Sequence, residues 1–326
     1  MNQFNFIEVC AGAGGLSSGL IKAGLQPSLL IDNDKHCYNT LLKNHSKQTK
    51  IICDNFENIN FAEWKNIDVL CGGVPCQSFS YAGKRKGVED PRGSLIFSFF
   101  KLVEDVSPKI FLIENVKGLM THNSGNTLKK LIDNVSGYNI KIKLLNSNDF
   151  DVPQNRHRLF IVGVRSDLNT SFIFPEPQKN KLLLKDVLYN VPESNGFTYP
   201  LHKQKLFKKI PQGGCWKNLS EQEQKEYLGN SFNSGGGKTG ILHRLSMEKP
   251  SLTLLCSPMQ KQTDRCHPLF ERPLTLKEYS RIQTFDDDYV FTGSTNSIYK
   301  QIGNAVPVNL GFYIGKQLIN CLNNLL

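Results

Sequence analysis

Residues Phe4-Asn5-Phe6-Ile7-Glu8-Val9 run directly into Cys10-Ala11-Gly12-Ala13-Gly14-Gly15, and the chain then continues as an amphipathic stretch over residues 16–23. An apolar run of strand length that breaks at a glycine turn and re-emerges with 3.6-residue apolar spacing is the opening of a β-α unit. The same alternation continues outward. Strands are expected at 4–9, 28–31, 69–71, 110–113, 140–145 and 159–164, and helices at 16–23, 36–44, 95–106 and 127–136. This predicts an α/β fold, a doubly wound and mostly parallel sheet, whose ligands sit beyond the carboxyl ends of the strands.

From about Pro175 the texture changes. Pro175, Pro177, Pro192, Pro200 and Pro211 punctuate the chain, Gly213-Gly214 and Gly235-Gly236-Gly237 interrupt it, and βα alternation stops. Residues 176–275 hold 15 Lys and Arg against nine Asp and Glu, so +6 of the net +10 falls there. A smaller, basic, loop-rich domain is expected over 175–292. Residues 309–326 regain helical spacing through Leu310, Ile314, Leu318 and Leu322 and are expected to return to the first domain, which then comprises 1–174 and 293–326.

Composition narrows the classes. With 326 residues and 39 % apolar side chains the chain has the material for a core, which excludes a disordered polymer. No apolar run approaches the roughly 20 residues of a membrane span. The Met1-Asn2-Gln3-Phe4-Asn5 start carries no export signature, so a cytoplasmic location without membrane contact is expected. Nine cysteines, an odd number, point to reduced thiols, and the absence of Cys/His clusters at zinc spacing predicts no metal site. A pI near 9.1 suits a polyanionic partner.

Several segments carry chemistry. The glycine turn brings backbone N–H groups close to a cofactor, but Ser17 stands where a dinucleotide fingerprint needs glycine, which argues against a nicotinamide. Asp32, after the second strand, suits ribose hydroxyls or an N-cap, and Asp54 suits an adenine amino group or a cap. Gly72-Gly73-Val74-Pro75-Cys76-Gln77-Ser78-Phe79-Ser80 places Cys76 on a loop at a sheet edge, where a nucleophile belongs. Glu114 closes the apolar run Ile110-Phe111-Leu112-Ile113, and faces the Cys76 crevice if the two strands are neighbours. In Gln154-Asn155-Arg156-His157-Arg158 the alternating arginines project to one face, suited to phosphate or a carbonyl oxygen.

Taken in order, Ala11–Gly15, Pro75-Cys76-Gln77, Glu114-Asn115-Val116, Gln154-x-Arg156-x-Arg158, Arg272-Pro273-Leu274-Thr275 and Gln301-Ile302-Gly303-Asn304-Ala305-Val306-Pro307 resemble the cytosine-5 DNA methyltransferases of bacterial restriction–modification systems. The resemblance runs the length of the chain. It implies S-adenosyl-L-methionine as cofactor, with S-adenosyl-L-homocysteine as product and no metal. The implied cofactor residues are Ala11, Gly12, Gly14, Gly15, Asp32, Asn33, Asp54, Asn55, Pro75, Leu95, Asn304 and Ala305. Two positions depart from the family: Cys10 replaces the usual phenylalanine, and Asn33 an aromatic residue of some relatives.

The resemblance further implies a catalytic set of Cys76 as the covalent nucleophile, Glu114 at ring nitrogen 3, Arg158 at the 2-carbonyl and Arg156 toward the phosphate backbone or the cysteine loop. Double-stranded DNA is the implied partner. Ser80, Lys84, Arg85 and Lys86 would meet it from a mobile loop, and Arg244 and Arg265 would read guanines from the 175–292 domain. A monomer working alongside a cognate restriction endonuclease is expected. A tRNA methyltransferase of related chemistry and a silent DNA-binding module are the alternatives; the long stretch Gln178–Glu271 and the intact Cys76, Glu114, Arg156 and Arg158 favour the DNA enzyme.

Overall fold

The computed structural model of the protein describes residues 3–47, 49–75, 94–133, 135–233 and 239–325. Its first part builds β1 (Asn5–Val9), α1 (Gly15–Ala23), β2 (Gln26–Ile31), α2 (Lys35–His45), β3 (Lys50–Ile52), β4 (Val69–Gly72), α3 (Ser94–Val106), β5 (Ile110–Val116), α4 (Gly118–Thr121), α5 (Asn126–Asp133), β6 (Tyr138–Asn146), β7 (Gln154–Asn155) and β8 (His157–Arg165). The order in the seven-stranded sheet is β3-β2-β1-β4-β5-β8-β6. The first five pair in parallel, and β8 runs antiparallel to both β5 and β6. Winding reverses between β1 and β4, which opens a crevice at their carboxyl ends.

Side chains alternate across this sheet as the two-residue strand period demands. Phe6, Leu30, Cys71, Leu112 and Val162 point to one face, where they meet Leu16 and Leu20 of α1. Ile7, Val9, Leu29, Ile31, Leu70, Ile113 and Ile161 point to the other, against Ile96, Phe99 and Val103 of α3. Every expected strand is present and most are longer than expected. The first half also contains β3, a three-residue edge strand, and α5 stops at Asp133 rather than continuing to residue 136.

The remainder contains α6 (Leu201–Phe207), α7 (Glu221–Leu228), β9 (Ser251–Leu252), α8 (Leu276–Ile282), α9 (Thr295–Asn304) and α10 (Val308–Asn323). Tyr199, Phe207, Trp216, Leu242 and Cys266 form a small core of their own. Leu245, Leu254, Leu274, Tyr279, Tyr299 and Ile302 form another, which joins α8 to α9 across residue 293. On the other side Leu310, Ile314, Leu318 and Leu322 of α10 pack along α1, so the last helix returns to the first. Among the described residues no helix is long and apolar enough to cross a membrane, and no group of three or more His, Cys, Asp or Glu could hold a metal ion.

Candidate active site

The glycine turn at the end of β1 is left-handed at Cys10 (φ 53°), Gly12 (φ 56°) and Gly14 (φ 77°), a conformation that glycine adopts at no steric cost. The Ala11 N–H donates to the Ile31 carbonyl at 2.9 Å and ties the turn to β2. Asp32 then takes the Gly12 N–H on one carboxylate oxygen (2.7 Å) and the Asp34 N–H on the other (2.8 Å). Burial raises the Asp32 pKa, and those two amides work against the rise. A Cβ built on Gly12 would meet nothing within 4 Å, so the turn faces open space beside a carboxylate with unused lone pairs. A ribose-bearing cofactor fits such a cradle.

The capping alternative for Asp32 is taken up by its neighbour. Asp34 accepts from the His36 N–H at 2.9 Å at the start of α2 and pairs with Lys300 of α9 at 3.0 Å. Asn33 is exposed. Asp54, also exposed, accepts from the Asn55 N–H (2.7 Å) and from Asn58 Nδ2 (2.9 Å), while Asn55 Oδ1 caps the short turn that follows. Leu95 is half-buried in the first turn of α3, and Asn304 and Ala305 stand at the end of α9. Burial pushes the Cys10 thiol well above its ordinary pKa, so it is neutral.

Beside the turn, β4 and β5 are sheet neighbours, the condition set above for Glu114 to face the cysteine loop. Glu114 lies opposite Phe160 and Val116 opposite Arg158, so Glu114 and Arg158 are diagonal neighbours on one face. Arg158 Nε sits 2.8 Å from Glu114 Oε1, with both side chains largely buried. Burial lowers the Arg158 pKa and the Glu114 charge opposes the shift. Asn115 Nδ2 donates to the Val74 carbonyl at 3.2 Å, and a Cβ on Gly73 would stand 3.5 Å from Glu114 Oε2. The chain leading to Cys76 is thereby held against the Glu114 carboxylate. Cys76 itself, with Ser80, Lys84, Arg85 and Lys86, lies outside the described residues.

Three arginines are buried. Arg156, implied toward the phosphate backbone or the cysteine loop, is 1 % exposed and donates to backbone carbonyls: Leu254 (3.0 Å), Gly303 (2.8 Å) and Asn304 (3.4 Å). Arg244, expected at a reading surface, is buried and donates to the carbonyls of Phe207 (2.6 Å) and Pro268 (3.1 Å), with Glu271 at 3.1 Å. Arg265 is buried too, donating to Thr253 O (3.2 Å) and Asp264 O (2.8 Å). Each guanidinium satisfies carbonyls that turns and loops leave unpaired, which is the use a buried planar five-donor group serves best.

One buried acid escaped the sequence reading. Glu8 shares the α1 face of β1, 2 % exposed, and accepts a hydrogen bond from Ser17 Oγ. Burial pushes its pKa up to about 8, the Ser17 bond opposing and Asp32 adding to the rise. A charged residue in the middle of an apolar strand was the available signal. Between the unfolded carboxyl pKa near 4.5 and the folded one near 8, the native state holds a proton that the unfolded chain has lost, so stability falls as pH rises. Glu8→Gln removes that titration. Its stability relative to the parent, from urea unfolding at pH 5, 6.5 and 8, is expected to climb by up to about 1.4 kcal/mol per pH unit. A difference that is flat with pH would show that Glu8 is ionised in the fold.

A family model described as C-5 cytosine-specific DNA methylase matches residues 4–320. The curated Type II methyltransferase M.Eco47II of Escherichia coli is 46 % identical over 99 % of this chain and 81 % of its own length. M.Sau96I of Staphylococcus aureus is 46 % identical over 98 % of the chain and 77 % of its own. Among solved structures, one from an Escherichia coli prophage, described as a DNA modification methyltransferase, superposes with a TM-score of 0.74 at 27 % identity, covering 98 % of this chain and 100 % of that one. Spodoptera frugiperda DNMT2 matches at 0.70 and 16 % identity over 97 % and 100 %, a likeness of fold.

Proposed function

The chain belongs to the C-5 cytosine-specific DNA methylases, and from that premise we propose that it methylates carbon 5 of a flipped cytosine in a short duplex sequence, using S-adenosyl-L-methionine and a covalent Cys76 adduct. The observation that carries the mechanism is the Glu114–Arg158 pair, buried beside the backbone that leads to Cys76. S-adenosyl-L-methionine, when bound, supplies an electrophilic methyl group. Asp32, the Gly12 turn and Asn304 would hold it.

Carbon 5 of cytosine is a weak nucleophile. Addition of Cys76 Sγ to carbon 6 makes carbon 5 electron-rich, and charge then gathers on the nitrogen 3 and oxygen 2 side of the ring. Glu114 would share a proton with nitrogen 3, and the Arg158 guanidinium would hold oxygen 2 in a site from which water is largely removed; after methyl transfer a base would take the carbon 5 proton and the Cys76 thiolate would leave carbon 6. The base must leave the stack to reach these groups, at a cost of a few kcal/mol. Ser80, Lys84, Arg85 and Lys86 would close on the DNA, and the 175–292 region, with six of the ten net positive charges in residues 176–275, would read it.

The relatives' designation as Type II methyltransferases supports a protective role beside a cognate endonuclease. Incubating the protein with S-adenosyl-L-methionine and unmethylated genomic DNA, followed by bisulfite sequencing, is expected to reveal 5-methylcytosine at one short recurring sequence. Unmodified DNA from protein that binds the cofactor would overturn this reading.

A further inference from the structure

Residues 251–256 form a strap from the basic half laid along the catalytic half. β9 pairs in parallel with β7, and the Ser251 N–H donates to Pro153 O at 2.7 Å. Thr253 Oγ1 donates to Asn155 O (2.7 Å), the Leu254 N–H to Gln154 Oε1 (2.9 Å) and Tyr279 OH to Leu255 O (2.9 Å). The strap ends at the exposed Cys256, whose thiol donates to Asn304 Oδ1 at 2.9 Å and lies within the fields of both Arg156 and Arg158.

Arg156 joins the strap to α9. One terminal nitrogen holds the Leu254 carbonyl, and the other holds the carbonyls of Gly303 and Asn304. Those two carbonyls close α9, so the guanidinium sits at the negative end of a helix dipole. That end and the nearby Glu114 charge both favour its charged form, and Nε has no hydrogen-bond partner among the described residues. Gly303 records the closeness independently: a Cβ there would fall 2.3 Å from Leu255 O and 2.8 Å from Cys256 N. Strap and helix end cannot move apart without breaking these contacts, and cannot move closer.

We propose that Arg156 is a positioning residue that couples DNA binding to cofactor binding, by locking the strap of the recognition half to the Asn304 end of α9. The inference rests on the cofactor reading given above. The strap tip borders the Arg158 end of the base pocket and the Asn304 end of the cofactor crevice. A ligand that shifts either the strap or the end of α9 must carry the other with it, so the second ligand meets a site already set, and the coupling is reciprocal. Lysine at 156 keeps the charge but offers a single nitrogen for three carbonyls held by a fork.

The test is calorimetric titration of S-adenosyl-L-homocysteine into the full chain, with and without a saturating duplex carrying the sequence mapped by bisulfite sequencing. For the parent protein, DNA is expected to tighten binding about 5- to 150-fold, the ordinary span of such coupling. In Arg156→Lys the ratio of the two dissociation constants is expected to fall below about 2, whereas a purely structural role would lower stability and leave the ratio intact. Gly303→Ala, which pushes on the strap with Arg156 in place, is expected to reduce the ratio likewise and carries the test if Arg156→Lys does not fold. Parental ratios in the folded variants, or a parent ratio of one, would overturn the coupling while leaving the cofactor reading standing. A parent protein that binds no S-adenosyl-L-homocysteine in either condition would overturn that reading itself.

Discussion

Cys76→Ala is expected to abolish methyl transfer, by roughly four or more orders of magnitude, because in the proposed mechanism the thiolate forms the bond that activates carbon 5 and no other group takes its place. The proposed cofactor groups are separate: the Gly12 turn follows β1, Asp32 follows β2 and Asn304 ends α9, so affinity for S-adenosyl-L-homocysteine is expected to stay within a few-fold of the parent. Transfer of a labelled methyl group to DNA and a binding titration on the same preparation check both halves. Turnover within tenfold of the parent would remove Cys76 from the mechanism, and a matching loss of binding would make it a structural residue.

Glu114→Gln is expected to lower kcat by about 10²- to 10⁴-fold, the range of a lost general acid–base group. The amide keeps the shape of the carboxylate but cannot pass a proton to nitrogen 3. The substitution also leaves Arg158, 14 % exposed in its side chain, without its counter-charge. Some loss of stability is therefore expected, about 1–3 kcal/mol for an unsatisfied buried partner. Measuring kcat on folded protein well below its unfolding temperature separates the two effects. A Gln variant that unfolds more readily but turns over at the parental rate would assign Glu114 a structural role only.

The sheet was readable because its strands are apolar runs bounded by turns and because its helices keep 3.6-residue spacing. β3 was not readable: Lys50-Ile51-Ile52 is too short for a period and begins with a charge. α5 ends early where Val135-Ser136-Gly137, poor helix formers, meet a glycine at φ 76°. The Glu114–Arg158 pair was half legible. Each residue stood out on its strand, but their contact depends on β8 entering antiparallel beside β5, which local pattern does not encode.

The buried arginines were the least legible. A guanidinium in sequence looks the same whether it will read a base or hold carbonyls. What decides its fate is tertiary: the carbonyls that Arg156 holds lie 98 and 147 residues away in the chain. Arg244 and Arg265 were likewise expected at the surface because their segment is basic and loop-rich, yet both are packed inside it.

The pairing of α1 with α10 has a consequence for biosynthesis. Leu16 and Leu20 leave the ribosome long before Leu310, Ile314, Leu318 and Leu322, which cover them. At roughly 5–20 residues per second, the apolar side of α1 waits some 15–60 s for its cover. Asn304, the last residue of α9, arrives equally late. Until then the nascent chain carries a sticky, unfinished sheet face, a natural station for chaperones, and its crevice is complete only once Asn304 has emerged.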